Sequence, residues 1–436
     1  MPSVWLRNRT GGFSKEEGIE MKRISFWLCA LLLLFVGCDT ASDVGESNGG
    51  STAENNASEI VIEKQPLNYR GRFAETPEGY YYGMGRLLYF CPRGKSSFVP
   101  LCGKPNCKHN NRNCNAYAPS FHIIEAYNGA LYTEYDPIDP ADPTKELSWG
   151  FGFAKRNLDG TGHTPVAFDY STYVRDGVGG TYALYQGKVY ALFSTRDSVP
   201  LELQEDHLIV IDIADGSSTE LAEEYFREHR MTSIKVRDGK LYGFTTKDKG
   251  PDSNPKEWLQ AEVDLTSGAV TEFPIRGYCA CYVTDTTAYY CDVDDVDSDY
   301  KAERPGFNEY DRATGTFREY GMPMEAQSVS YVLYDSDYIY LSTEGEAGEK
   351  GTLYILSRDY QVVDQLSLKN NECILSVTSD RIYLEDPDAE KDPVYGKNCS
   401  MLYLQKSQIG SHNLTPEKAE IIIPNVEWVD LQPGEE

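Results

Sequence analysis

The sequence predicts an all-β chain, a seven-bladed β-propeller of four-stranded antiparallel blades. Three observations predict it. A turn that leads through an apolar residue to tyrosine recurs seven times. A polar hairpin turn between two strand-like runs follows most copies. Helical periodicity is almost absent from Ile60 onward, so strand alternation and turn residues organise the chain.

The first element reads Gly79-Tyr80-Tyr81-Tyr82, Gly129-Ala130-Leu131-Tyr132, Gly187-Lys188-Val189-Tyr190 and Gly239-Lys240-Leu241-Tyr242. Degenerate copies follow at Thr287-Ala288-Tyr289, Tyr338-Ile339-Tyr340 and Arg381-Ile382-Tyr383. Successive final tyrosines are 50, 58, 52, 47, 51 and 43 residues apart. The second element is a strand that closes on Asp159-Gly160, Asp215-Gly216, Ser267-Gly268 or Thr314-Gly315, where glycine allows the positive φ of a tight hairpin. Two hairpins per repeat make a four-stranded sheet, and seven such sheets set radially bury nearly every edge. The competing arrangement is a pair of all-β sandwiches. Ile60-Val61-Ile62 and Ile421-Ile422-Ile423 are the candidate strands for closing the ring. The propeller is placed at 58–431.

The N-terminal region reads as an address. Residues 1–20 do not fit a signal peptide, and Met21 is the expected start, which makes them an upstream extension. Met21-Lys22-Arg23 opens a basic stretch, and the apolar run from Ile24 to Gly37 is too short to span a bilayer. It ends in Phe35-Val36-Gly37-Cys38, which resembles a bacterial lipobox with Phe where Leu is usual. The resemblance implies a signal peptide at 21–37 and a lipidated N-terminus at Cys38. Two acyl chains give lasting anchorage, at roughly 0.8 kcal/mol per buried methylene. The implied location is the extracytoplasmic face of the cell membrane. Residues 38–57, rich in Ser, Gly, Asn, Ala and Glu, read as a flexible tether. Gly45 to Gly49 fits G-x-S-x-G by chance, because a tether lacks the strand and helix that pattern needs.

The formal charge of the chain is −27. Loss of residues 1–38 takes away 5 basic and 3 acidic side chains and leaves −29. Nucleic acid is excluded as a partner on that charge. The long connections expected on one face, at 136–148, 195–206, 247–257, 293–305, 344–350 and 387–399, together carry −12. A rim of long acidic loops is where such a fold binds. Asp292, Asp294, Asp295, Asp297 and Asp299 form its densest carboxylate run. Calcium uses hard oxygens of this kind, although the run lacks the glycine and terminal glutamate of an EF-hand.

Cys102, Cys107, His109 and Cys114 give C-x4-C-x-H-x4-C within an insert at 102–114. Four Cys/His ligands are what a structural zinc takes. Lys104, Lys108 and Arg112 favour thiolate. Disulfides among Cys102, Cys107, Cys114 and Cys91 are the rival. Nine cysteines beyond Cys38 are an odd number, so at least one is unpaired within the chain.

The repeats resemble the TolB-like and YncE-like propellers of exported bacterial proteins. The segment from Pro100 to His109, continuing to Tyr117, resembles uncharacterised surface lipoproteins of Gram-positive gut bacteria. In those, a similar Cys-rich PLCxKPxCxH insert follows the first hairpin of a predicted propeller. The resemblance implies fold and address and transfers no functional residue.

Two functions are compatible with this pattern. One is a non-enzymatic module, monomeric, that offers an acidic propeller face to an extracellular protein, peptide or glycan. The other is a propeller enzyme acting on extracellular polysaccharide through Asp/Glu pairs. The sequence carries no H-E-x-x-H, P-loop or dinucleotide fingerprint.

Overall fold

A computed structural model describes residues 72–118, 123–135, 138–139, 142–146, 150–169, 181–194, 205–246, 258–274, 279–292, 306–322, 329–343, 351–369, 374–392 and 397–424. All belong to the unit spanning 60–436. The signal peptide, Cys38 and the tether lie outside the described residues, as do all or nearly all of the connections at 195–206, 247–257, 293–305 and 344–350 and parts of those at 136–148 and 387–399.

The first sheet runs Phe73–Thr76, Gly79–Met84, Leu87–Pro92 and Ser97–Pro100, each strand antiparallel to the one before. The second runs Ile124–Tyr127, Ala130–Tyr135, Gly150–Asn157 and Thr164–Asp169, with a small hairpin of Ile138–Asp139 and Asp142–Glu146 between its second and third strands. The same meander recurs at 181–221, 230–274, 279–321, 329–367 and 374–421. Each tyrosine element of the sequence falls on the second strand of its sheet, from Gly79–Met84 to Arg381–Glu385. First strands of neighbouring sheets touch: Phe73–Thr76 meets Ile124–Tyr127, Ile124–Tyr127 meets Thr181–Tyr185, and Thr181–Tyr185 meets Arg230–Arg237. Serial meanders joined through their first strands are the organisation of a β-propeller.

The core lies between sheets, and strand alternation explains why. In the third sheet Val189, Ala191 and Phe193 face the second sheet, packing with Tyr132 and Phe153. Their neighbours Tyr190 and Leu192 face the fourth, packing with Leu241, Ala261 and Val263. Successive side chains point to opposite faces, so each middle strand supplies two cores at once. Fully burying one such side chain contributes about 1.5–3 kcal/mol. A one-turn helix, Glu223–Glu228, inserts the fully buried Phe226 between the third and fourth sheets.

First and last sheets join in two ways. Their outer strands Ser97–Pro100 and Glu417–Ile421 pair in parallel, Glu420 opposite Ser97 and Ile421 opposite Phe98, which makes one eight-stranded sheet. Their faces also pack, with Phe73 stacked on Tyr383 at 5.0 Å between ring centroids. Of the two expected closing segments, Ile421 ends the outer strand of the last sheet, and 60–62 lies outside the described residues.

The hairpin turns carry a repeated device. Gly216, Gly268 and Gly315 sit at φ +75°, +72° and +69°, conformations that a Cβ would strain. Each donates its N–H to the carbonyl of an aspartate four residues earlier, Asp212, Asp264 or Asp311, at 2.8 Å. The aspartate carboxylate then caps the turn from the side, accepting from the N–H of Ala214, Thr266 or Ala313.

Candidate metal centre

The insert begins where the outer strand of the first sheet ends. Cys102 donates its N–H to the Pro100 carbonyl at 2.8 Å, and Leu101 donates to Leu88 at 2.8 Å. Gly103 and Pro105 then turn the chain, and Asn106 at φ +59° and His109 at φ +55° occupy the left-handed region. Cys107 donates to the Lys104 carbonyl, and the Lys104 ammonium donates to the Asn113 carbonyl across the loop. Cys114 donates to Asn111 at 3.1 Å and Tyr117 to Cys114 at 3.0 Å, which folds the return arm. The arm docks on the first sheet through Leu88 to Ala116 at 2.7 Å and Ala118 to Arg86 at 3.0 Å.

This local folding brings the four sequence-predicted ligands together. The ligand atoms of Cys102, Cys107, His109 and Cys114 all lie within 4.8 Å of one another. His109 Nδ1 is 3.3 Å from Cys114 Sγ. A tetrahedral zinc with bonds of about 2.0–2.3 Å has edges of roughly 3.5–3.8 Å, so the cluster has nearly the span of a coordination sphere. Cys114 is buried, while Cys102, Cys107 and His109 are half-buried. Cys91, Cys102, Cys107, Cys114 and Cys399 are free thiols.

Electrostatics differ from sulfur to sulfur. Burial pushes the Cys102 thiol up, but the N–H groups of Lys104 and Asn115 and the neighbouring thiols outweigh it, and the net shift is downward. Burial pushes Cys114 up, and the charges of Cys102 and Cys107 push it further. Burial holds His109 below the usual imidazole range, so its ring is neutral and keeps a lone pair for a metal. Three thiols and one imidazole are a donor set suited to zinc, and the cluster could hold a metal ion.

The insert lies between two sheets. Gly160, in the hairpin joining the third and fourth strands of the second sheet, has φ +83°, and a Cβ there would sit 2.6 Å from the Leu101 carbonyl oxygen. Arg156 of the same sheet reaches the carbonyls of Asn115 and Tyr117 at 2.9 Å each. The insert is thus seated against the hairpin at 158–161, at the C-terminal end of the strand Gly150–Asn157. Beside the loop opens a groove of about 930 Å³, lined by Tyr81, Phe90, Val99, Leu101, Leu158 and Asp159 together with the start of the loop.

Neither Arg156 nor the contact of Gly160 with the insert carries a signal in the sequence. The Asp159-Gly160 pair was legible as a turn, but nothing in the spacing ties it to a loop more than forty residues earlier. Asp292 ends the strand Thr287–Asp292, between Cys279 and Gly306. Asp294, Asp295, Asp297 and Asp299 lie outside the described residues. Among the described residues no helix is long and apolar enough to cross a membrane.

No family model matches the chain, and no curated protein matches it. Solved structures similar to it include a mutant of ACO from Synechocystis, 9% identical over 70% of this chain and 72% of that one, with a TM-score of 0.40. The β-propeller domain of the Trilobed protease from Pyrococcus furiosus is 11% identical over 72% of this chain and 97% of that one, with a TM-score of 0.41. Dipeptidyl peptidase 4 of Porphyromonas gingivalis is 11% identical over 80% of this chain and 59% of that one, with a TM-score of 0.43. At these identities no residue role carries over.

Proposed function

We propose that the chain is a lipid-anchored extracytoplasmic lipoprotein that works as a binding module, with a structural zinc held by Cys102, Cys107, His109 and Cys114. In this reading the body is a seven-bladed propeller. Five separate four-stranded sheets, and an eight-stranded sheet made of two further meanders, support that count. The partner is an extracellular protein, peptide or glycan met by the acidic rim. The mature charge of −29 favours cationic surfaces, and the attraction weakens with salt.

The observation that carries the reading is the convergence of four ligand-type side chains on a loop that walls an open groove. Three thiols and a neutral imidazole fix the shape of that wall. Four protein ligands fill a tetrahedron and leave no open position for chemistry, which is the pattern of a structural centre.

Elemental analysis and free-thiol counting on the purified protein test the zinc. One equivalent of zinc with reduced thiols is the expected result, and disulfides without metal would remove it. Cys38→Ser tests the anchor, with the protein expected to leave the membrane fraction. Peptide and glycan arrays read at low and high salt test the binding face.

A further inference from the structure

Arg156 stands where a charged side chain is rarely found. It is 1% exposed, on the strand Gly150–Asn157 of the second sheet. Its Nη1 donates to the carbonyls of Asn115 and Tyr117, both at 2.9 Å, and its Nη2 donates to Thr133 Oγ1 at 3.3 Å. Burying a guanidinium is costly unless its donors are met by well-placed acceptors. Two of those acceptors are backbone carbonyls on the return arm of the Cys/His loop, immediately after Cys114.

The two carbonyls flank Ala116, and its N–H donates to Cys114 Sγ at 3.3 Å. The Asn115 carbonyl and the Ala116 N–H belong to one peptide group, which is planar and turns as a unit. Holding the oxygen at one end therefore aims the hydrogen at the other. The next peptide is held from the opposite side, because the Ala116 carbonyl accepts from Leu88 at 2.7 Å. Asn115 and Ala116 are thus pinned between Arg156 of the second sheet and Leu88 of the first.

We infer that Arg156 is a positioning residue of the metal centre, fixing the peptide whose N–H points at the Cys114 sulfur. The inference rests on the reading of Cys102, Cys107, His109 and Cys114 as a metal site. Hydrogen bonds to a ligating atom orient it and spread its charge, and the outer groups that make them tune affinity. Arg156 does this through a backbone peptide, from a sheet that contributes no ligand. One of its nitrogens serves both carbonyls while the other reaches Thr133, a division between two rigidly spaced nitrogens that the single ammonium of lysine does not reproduce.

Zinc affinity of the purified full chain, read by competition with a chromophoric chelator, tests the inference. Arg156→Met is expected to weaken zinc binding about 10- to 100-fold, the usual effect of removing an outer partner. Arg156→Lys keeps the charge in case the Met variant fails to fold, and is expected to fall in between. The cobalt-substituted protein gives a second readout. Its sulfur-to-metal charge-transfer band is expected to shift in Arg156→Met, because Cys114 loses a held N–H, a change that general loosening of the fold would not produce. Wild-type affinity and an unshifted band in both variants would overturn the role of Arg156 while leaving the metal site standing. A wild-type chain that binds neither zinc nor cobalt would instead overturn the metal reading itself.

Discussion

Tyr80 donates its hydroxyl to the carboxylate of Asp380 at 2.6 Å, across 300 residues of chain. The bond joins the first sheet to the last, beside a buried cluster. Arg93 donates to Glu75 at 2.7 Å, and Glu75 accepts the N–H of Ser379 at 2.8 Å. Arg381, 2% exposed, lies over the rings of Tyr80 and Tyr403 at 4.8 and 4.4 Å. Burial and the Asp380 charge push the Tyr80 phenol well above its ordinary range, so it stays a donor at any working pH.

Tyr80→Phe removes that hydroxyl and leaves Asp380 a partner short. A hydrogen bond to a charged group is worth about 1.5–3 kcal/mol. Asp380 is partly exposed and water can replace the phenol, so a loss near the lower end, about 1.5 kcal/mol, is expected. Urea denaturation of the purified variant measures it. An unchanged midpoint would mean that the parallel strand pair and the Phe73–Tyr383 stack close the fold without this contact.

The sequence offered Ile421-Ile422-Ile423 as a closing strand but not the strand it pairs with, and the reason is physical. Strand alternation and glycine turns are local signals, and they placed the second strands and the hairpins at Gly216, Gly268 and Gly315. The pairing of Ser97–Pro100 with Glu417–Ile421 joins segments some 320 residues apart, and neither announces its partner. The metal cluster was legible because its four ligands fall within 13 residues. Its support was not, because Arg156 acts on backbone carbonyls, which leave no trace in side-chain pattern.

Gly160→Ala tests the packing of the insert on the second sheet. A Cβ at this position would meet the Leu101 carbonyl oxygen at 2.6 Å, and φ is +83°. Backbone strain in this region costs about 1–3 kcal/mol. Leu101 precedes the ligand Cys102, so the variant is expected to lose that stability and to bind zinc more weakly. Chemical denaturation with and without added zinc separates the two effects. Gly239→Ala is the control, since it shares the positive φ but meets nothing within 4 Å.

The capped hairpins predict an acid limb in stability. The N–H of Ser267, with its hydroxyl, holds the Asp264 carboxyl below the usual range, and the N–H of Thr314 does the same for Asp311. The folded value lies below the unfolded one, so the caps contribute above the unfolded carboxylate pKa, about 3.9. That contribution is lost as pH falls from about 4 toward the folded values. Denaturation midpoints at pH 6, 4 and 3 should fall in acid, and the double variant Asp264→Asn, Asp311→Asn should fall less steeply. A parallel decline in both proteins would place the acid sensitivity elsewhere.

Lys406 supplies the last test, at the junction of the sixth and last sheets. Its ammonium is 2.6 Å from Asp335, which also accepts the Tyr340 hydroxyl at 2.5 Å and the N–H groups of Asp337 and Tyr338. Burial alone would push the Asp335 carboxyl up, but Lys406 and these donors outweigh it and hold it below the usual range. The carboxylate therefore stays charged inside the junction and needs its cation. Lys406→Met keeps most of the apolar stem and removes the charge. Breaking one partner of a buried pair costs about 3–5 kcal/mol, and the donors left on Asp335 should keep the loss at or below the lower end. Adding Asp335→Asn to Lys406→Met should recover part of it, because the buried charge is then gone. A double variant less stable than the single one by the full cost of Asp335→Asn alone would show that the two residues act independently.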